Sequence, residues 1–179
     1  TFTQSHRQIS LLKGEARFDV AKDKNRPFTV SVEDKSFTAL GTIFNVQKND
    51  INNLELVVTE GKVLISDTNT INQRLDNIVA SFKTLEHNKL AGSVVNSGEK
   101  SVVSHNTQIS KISLDQIQKE LSWQQGMLIF DATPLNTALN EVSRYNDIQF
   151  EFTDKSLSDL KISGYFKSGD IDTLLQSLS

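Results

Sequence analysis

The first third of the chain alternates apolar and polar side chains with the period of a β-strand. The alternation is clear in the runs at 15–20 and 28–32 and is followed by Leu54, Leu56 and Val58, and a short apolar strand is predicted at 63–65. A period of two turns one face of a strand toward a core and the other toward solvent. Pro27 opens the second run, where a proline costs no ladder hydrogen bond. The pattern predicts an all-β domain of short, antiparallel-type strands.

A further run, at 37–46, breaks its own alternation. Its apolar residues occupy odd positions up to Ala39 and mainly even positions from Leu40 onward. An extra residue that reverses the facing of side chains is typical of a β-bulge, and glycine is favoured there because it accepts positive φ. The sequence therefore predicts a β-bulge at Leu40–Gly41 within one strand. Glu60–Gly61 is predicted to be the turn between the next two strands.

The rest of the first domain is less regular. Apolar residues at helical spacing predict a helical insertion at about 70–90, although 78–82 could also pair as a strand. Two short valine-containing strands around the turn at 96–99 then complete a domain at 1–106. Residues 107–122 are predicted to be a polar linker and a connecting helix, with a possible capping box formed by Ser113 and Gln116.

The last third has a different architecture. Apolar spacing predicts the order strand, helix, strand, strand, helix, at 127–130, 135–142, 148–152, 160–166 and 171–178. Thr133 is predicted to cap the first helix, with Pro134 at its first position. Each helix has one apolar stripe, so both should cover the same small sheet. The fold class is therefore mainly β followed by α+β: an all-β domain, then a two-layer βαβ-βα module at 123–179 without a closing strand.

Composition and charge exclude several classes of function. The formal net charge is −3, which disfavours a nucleic-acid binder because phosphate recognition needs concentrated Lys and Arg. The chain has no cysteine, which excludes disulfides, zinc–thiolate sites and a cysteine nucleophile. No run of about 18 apolar residues predicts a membrane span, and the start lacks the layout of a signal peptide.

Individual polar residues give no catalytic or metal site. His6, His87 and His105 lack the spacing of metal ligands, so no metal or other cofactor is predicted. Three acidic residues could be imagined as a glycosidase carboxylate pair, but the strand pattern places them on solvent faces; they are Glu15, Asp19 and Glu60.

Several fragments, in order along nearly the whole chain, resemble the FecR family of anti-sigma transmembrane regulators. The first four are Gly14–Ala21, Arg26–Phe28, Leu40–Val46 and Glu60–Val63. The downstream fragments resemble that family's C-terminal module, which is similar to the short N-terminal domain of secretins and TonB-dependent receptors; they are Trp123–Gly126, Phe130, Pro134–Leu135, Ser143–Tyr145 and Ile162–Phe166. Residues 67–90 carry no motif of the family.

The resemblance implies a periplasmic signalling fragment of a single-pass inner-membrane protein. Its expected partner is the periplasmic signalling domain of an outer-membrane TonB-dependent transducer, which reports the binding of a siderophore or similar ligand. Stepwise cleavage by periplasmic proteases would then free an extracytoplasmic-function sigma factor, which the parent protein binds through a segment outside this sequence. No nucleic acid and no direct membrane contact are expected for this fragment.

The resemblance also singles out one peptide bond. Some members of the family cleave themselves at a Gly–Thr bond, and the matching bond here is Gly41–Thr42. A threonine hydroxyl can attack the preceding carbonyl carbon of a distorted peptide, but the reaction also needs a base and an oxyanion stabiliser, which the sequence does not identify. The alternative is structural: Gly41 permits the bulge and Thr42 is a good strand residue.

The partner surface is predicted at the strand of 160–166. If no strand closes the sheet there, unpaired backbone groups are available for strand addition, with Leu160, Ile162, Tyr165 and Phe166 as contacts. The alternative is that this strand is central.

A second class of function stays open, a carbohydrate-binding or scaffold domain of the cell envelope, although one Trp and two Tyr are few for a sugar binder. A peptidase-like enzyme lacks a nucleophile with a recognisable base.

Overall fold

The chain forms two units, Thr1–Ser113 and Leu114–Ser179. The first unit is a sandwich of two five-stranded sheets, and the second is a small α+β module. The predicted fold class, mainly β plus α+β, is confirmed. The helical insertion predicted at 70–90 lies outside the described residues. The structure, a computed structural model, describes residues 2–4, 6–48, 53–68, 92–104 and 106–178.

Sheet A of the sandwich has the spatial order β1-β3-β4-β7-β8. Strand β1 runs parallel to β3, and the other neighbours are antiparallel. The strands are β1 (Arg7–Ser10), β3 (Phe28–Val32), β4 (Lys35–Ala39), β7 (Lys62–Asp67) and β8 (Ser93–Asn96).

Sheet B has the spatial order β10-β9-β6-β5-β2, and all of its pairs are antiparallel. Its strands are β2 (Gly14–Asp19), β5 (Ile43–Lys48), β6 (Leu54–Glu60), β9 (Glu99–Val103) and β10 (Thr107–Lys111).

One apolar core lies between the two sheets. It takes alternate residues from the facing sides of the strands, as the predicted period of two requires. Three aromatic rings stack in it: the ring centroid of Phe18 lies 5.6 Å from that of Phe28 and 5.2 Å from that of Phe44. The strands predicted at 15–20, 28–32, 54–58 and 63–65 are confirmed, because each supplies residues to this core.

The β-bulge predicted at Leu40–Gly41 is wrong. Strands β4 and β5 belong to different sheets, and residues 40–42 are the crossover between them. The facing of the side chains reverses because the chain leaves one sheet and joins the opposite one, and both sheets keep apolar residues toward the shared core. The register shift of this region lies one step further on, where Ile43 pairs with Glu60 and Phe44 pairs with Val58.

Gly61 is also a crossover rather than a hairpin turn. It joins β6 of sheet B to β7 of sheet A, and Ser97–Gly98 joins β8 of sheet A to β9 of sheet B. The chain therefore changes sheet at each of the three glycine turns, Gly41, Gly61 and Gly98. Each strand pair contributes to one sheet before the chain crosses to the other.

The linker predicted from residue 107 is wrong in its first part. Residues 107–111 form β10, which pairs with β9 along its whole length. All five residues of β10 are exposed. An edge strand without a buried face carries no apolar alternation, so its sequence resembles a polar connection. The connecting helix is present as α1 (Leu114–Glu120), and none of its residues is buried.

The second unit is built on a two-stranded antiparallel sheet. It has the order β11-β12, with two helices on one face and two short 3-10 helices. These elements are β11 (Met127–Pro134), β12 (Lys161–Lys167), α2 (Leu135–Ser143), α3 (Ile171–Ser177) and the 3-10 helices Ser122–Gln125 and Lys155–Asp159. Its core is formed by residues of β11, α2 and α3.

Two predictions for this unit are wrong. Residues 148–152 do not form a strand; Phe150 and Phe152 pack against the core without joining a ladder. The N-cap of α2 is Pro134 and not Thr133, and no side chain caps that end. The Thr133 hydroxyl instead accepts a hydrogen bond from the Asp131 amide, 3.2 Å away, at the irregular step of β11.

The helix α3 begins as predicted but buries only part of its apolar stripe. The Asp170 carboxylate accepts a hydrogen bond from the Thr173 amide and so caps the first turn. Leu174 is buried, whereas Leu175 and Leu178 are exposed. No helix within the described residues is long and apolar enough to cross a membrane.

Candidate functional site

The Gly41–Thr42 bond lies in the crossover from β4 to β5. Gly41 has φ +144°, a conformation that side chains rarely adopt, and Lys22 packs directly against it. A Cβ at position 41 would lie 2.7 Å from the Lys22 Cα and closer still to the Lys22 Cγ. Only glycine fits this position, because both the backbone conformation and the neighbouring chain exclude a side chain.

The segment before β3 holds this crossover in place. The Val20 amide donates to the Thr42 carbonyl at 3.1 Å, and the Asp23 amide donates to the Leu40 carbonyl at 3.0 Å. These two bonds flank Gly41 on either side, so the connection at 22–26, although mostly exposed to solvent, is an ordered brace.

The Asp23 side chain orders the same brace. It accepts from the Arg26 guanidinium at 2.8 Å and from the Asn25 amide at 3.0 Å. The Arg26 side chain, with the Asn25 amide, lowers the pKa of Asp23 below its usual value. The bonds to the charged carboxylate therefore stabilise the folded state above the ordinary pKa, and this contribution is lost as pH falls through the lowered pKa.

Thr42 is buried, with 3% of its surface exposed. Its hydroxyl donates to the Lys62 carbonyl at 3.0 Å. Gly61 lies directly beside it, since a Cβ at Gly61 would be 2.9 Å from the Thr42 Oγ1. The hydroxyl proton is therefore held by an amide carbonyl, which is far too weak a base to activate a nucleophile at neutral pH.

The three crossovers form one end of the sandwich, here called the crossover end (residues 40–42, 60–61 and 97–98). The Ser97 amide donates a hydrogen bond to the Gly61 carbonyl at 2.9 Å, and Gly61 in turn lies beside Thr42. On the surface, the Lys22 ammonium lies 3.7 Å from the Glu60 carboxylate. Two fragments that resemble the FecR family, at 40–46 and 60–63, therefore meet here.

The second candidate site is the free edge of β12. Among the described residues, β12 pairs only with β11. Its side chains alternate strictly between exposed and half-buried. The backbone groups on the side of β12 away from β11 thus have no strand neighbour in the described part of the chain, which is the arrangement that strand addition requires.

The predicted contact residues of β12 divide between its two faces. Ile162 and Phe166 pack against the core of the second unit, so their side chains are unsuited to bind a partner. Tyr165 is 76% exposed, and Leu160, just before the strand, is 53% exposed. The predicted pair Leu160 and Tyr165 remains as a candidate contact surface.

Gly164 makes the inner face of β12 possible. It lies opposite Phe130 in the register, and a Cβ at this position would be 2.9 Å from a ring carbon of Phe166. The rings of Phe130 and Phe166, with centroids 5.7 Å apart, occupy the space that a side chain would need. With Gly164 and Phe166 on the inner face, the alternation along β12 places Tyr165 on the exposed face.

Two further residues of this site were not predicted from the sequence. Lys161 and Lys167 lie on the same exposed face of β12 as Tyr165. The alternation along the strand could have identified these two lysines, because residues 161, 165 and 167 are all odd-numbered and therefore lie on the same face.

The described residues contain no group of three or more His, Asp or Glu side chains placed to hold a metal ion. Of the three acidic residues considered as a carboxylate pair, Glu15 lies on β2 and is half-buried, and its carboxylate accepts a hydrogen bond of 2.6 Å from the Asn45 amide group. This bond gives Glu15 a structural role. Asp19 and Glu60 are exposed, as predicted.

Comparison with known proteins identifies the family. The profile of the FecR protein matches residues 1–64, and the profile of the FecR C-terminal region matches residues 127–179. No curated protein sequence matches significantly.

Two crystal structures, at 1.65 Å and 2.50 Å resolution, of a Parabacteroides distasonis ATCC 8503 protein provisionally named an anti-sigma factor have TM-scores of 0.71 and 0.67. Each is 20% identical in sequence and covers 99% of this chain and 74% of that chain. At this identity the likeness is one of fold, and it extends over both units described above. With two family profiles matching in order and together spanning more than half of its length, the chain belongs to the FecR family of anti-sigma regulators.

Proposed function

We propose that this chain is the periplasmic sensor region of its parent regulator. It binds the signalling domain of an outer-membrane TonB-dependent transducer and relays siderophore or iron status to an extracytoplasmic-function sigma factor. The relay proceeds through regulated proteolysis by periplasmic proteases, and the parent protein holds the sigma factor through a segment outside this sequence. The chain itself acts by binding and not by turnover of a substrate.

The free edge of β12 is the observation that carries this proposal. A strand with an unpaired edge and an exposed aromatic side chain is suited to bind another small sheet by main-chain hydrogen bonds. Exposed aromatic residues are also frequent among the residues that dominate binding energy at protein interfaces. The other unit of the chain, the sandwich, has its core closed between two sheets.

A binding measurement tests the proposal directly. The purified chain is titrated by calorimetry with signalling domains of TonB-dependent transducers encoded near its gene. We expect saturable binding to one of them with a stoichiometry of one to one. A chain that binds none of these domains but binds polysaccharides of the cell envelope would support the alternative, a carbohydrate-binding domain.

Tyr165 provides the matched variant for this assay. Tyr165→Ser removes the exposed ring without touching the core, and we expect it to weaken binding about tenfold or more, the range of an interface anchor. Leu12→Ser is the control, because Leu12 is 81% exposed and lies in the first unit. Both variants should keep the melting temperature of the wild type. Equal binding by the two variants would exclude Tyr165 from the interface.

For Gly41–Thr42 we propose a structural role in the resting protein, with Thr42 bonded to the Lys62 carbonyl. We expect purified wild-type chain to retain its full mass of 20.0 kDa during prolonged incubation at neutral pH. Intact-mass spectrometry beside Thr42→Ala checks this. Fragments ending at residue 41 and starting at residue 42, formed by the wild type and absent from Thr42→Ala, would instead establish single-turnover self-cleavage.

A further inference from the structure

The exposed face of β12 carries a short row of uncompensated positive charge. Lys161, Tyr165 and Lys167 all point away from the core of the second unit. Among the described residues, neither lysine ammonium takes part in an ion pair or a side-chain hydrogen bond. The chain as a whole has a net charge of −3, so this row is a local exception.

The neighbouring strand adds an apolar strip beside this row. On β11, Met127 lies opposite Lys167 and Ile129 lies opposite Tyr165 in the register, and both are half-buried. Tyr165 therefore extends an apolar strip to the free edge of the sheet, with a lysine on each side of it along β12.

We propose that β12 docks an acidic, extended segment of the transducer's signalling domain, and this inference rests on the proposed function above. A strand added at the free edge of β12 places its side chains beside those of β12, so carboxylates would face Lys161 and Lys167, and an apolar residue would face Tyr165. The charge of the row selects an acidic segment over a basic one.

The spacing of the row sets the pattern of that segment. Lys161 and Lys167 are six residues apart, or roughly 20 Å along a strand. The partner strand needs two acidic residues six positions apart on one face. The apolar residue between them follows the first acidic residue by two positions in an antiparallel arrangement and by four in a parallel one.

The test compares two double variants with the same change of charge. Lys161→Glu with Lys167→Glu reverses the row on β12, and Lys13→Glu with Lys24→Glu alters exposed lysines of the first unit. The dissociation constant for the signalling domain that binds the wild type is measured at about 50 mM and about 500 mM NaCl, because exposed charge pairs are screened by salt. Circular dichroism confirms that each variant is folded.

We expect salt to weaken wild-type binding, and reversal of the β12 row to weaken it about tenfold or more at low salt. The control variant should stay within about twofold of the wild type. Unchanged binding by the β12 variant would overturn the charge proposal and leave the proposed function intact.

If the wild type binds no signalling domain, the proposed function fails and a peptide assay decides the inference separately. The probes are ten-residue peptides with the antiparallel or the parallel acidic–apolar–acidic spacing given above. Each is compared with its Gln-for-Glu analogue in an NMR titration of the labelled chain. Chemical-shift changes that are confined to 161–167 and occur only with an acidic peptide support the inference. Equal changes with an acidic peptide and its analogue, or no changes with any peptide, overturn it.

Discussion

Replacing Gly41 with alanine is expected to destabilise the sandwich by about 3 kcal/mol or more. Single substitutions cause losses of this size mainly when they create a severe backbone or packing conflict. The new Cβ would lie 2.7 Å from the Lys22 Cα, and backbone cannot move aside as a flexible side chain can. The φ of +144° adds a conformational penalty for any side chain. The brace formed by Val20 and Asp23 would have to separate from the crossover to relieve the contact.

Gly98→Ala is the matched control. Gly98 lies in another crossover at φ +80°, but a Cβ there meets nothing within 4 Å. Its expected cost is about 1 kcal/mol, the conformational term alone. Because the single tryptophan, Trp123, belongs to the second unit, unfolding of the sandwich should be followed by circular dichroism in urea and not by tryptophan fluorescence. Equal losses in the two variants would show that crowding by Lys22 contributes nothing.

Truncation of Phe44 to alanine should cost about 3–5 kcal/mol, the usual range for a large aromatic side chain in a closed core. Phe44 is fully buried between the sheets, and its ring packs on those of Phe18 and Phe28. Phe44 lies two positions after the crossover at 40–42, so one short fragment supplies both a crossover between the sheets and a central residue of the core. The midpoint of urea unfolding measures the loss.

Two further variants serve as controls for Phe44→Ala. Phe44→Leu keeps most of the volume and should cost clearly less, so it remains measurable if the alanine variant does not fold. Phe2→Ala removes a ring that is 65% exposed and should change the stability little. A small loss for Phe44→Ala, similar to that of Phe2→Ala, would contradict the position of Phe44 in the core.

The strands of the sandwich could be predicted because their inner faces are apolar, and burial of one face leaves a period of two in the sequence. The pairing between strands could not be predicted in this way. Leu40–Gly41 has the same local pattern whether the chain bulges within one sheet or crosses to another. Only the strand pairing distinguishes the two, because β4 lies between β3 and β7 whereas β5 lies between β6 and β2. Strand β10 was missed because both of its faces are exposed.

The candidate binding site was predictable in position but not in detail. The apolar spacing at 160–166 indicates a strand. Which of its side chains face solvent is known only from the structure, in which Ile162 and Phe166 pack against the core. Phe150 and Phe152 gave the opposite error, since they alternate like a strand but reach the core from an irregular segment. Apolar spacing reports burial, and burial does not require a hydrogen-bonded ladder.

The most direct test of the central claim, that this regulator binds its transducer through the edge of β12, is amide hydrogen exchange of the chain with and without the bound signalling domain. We expect new protection concentrated at 161–167, because strand addition gives the unpaired amides of β12 hydrogen-bond partners. Protection confined to the sandwich at 7–111, with exchange in β12 unchanged, would contradict the account.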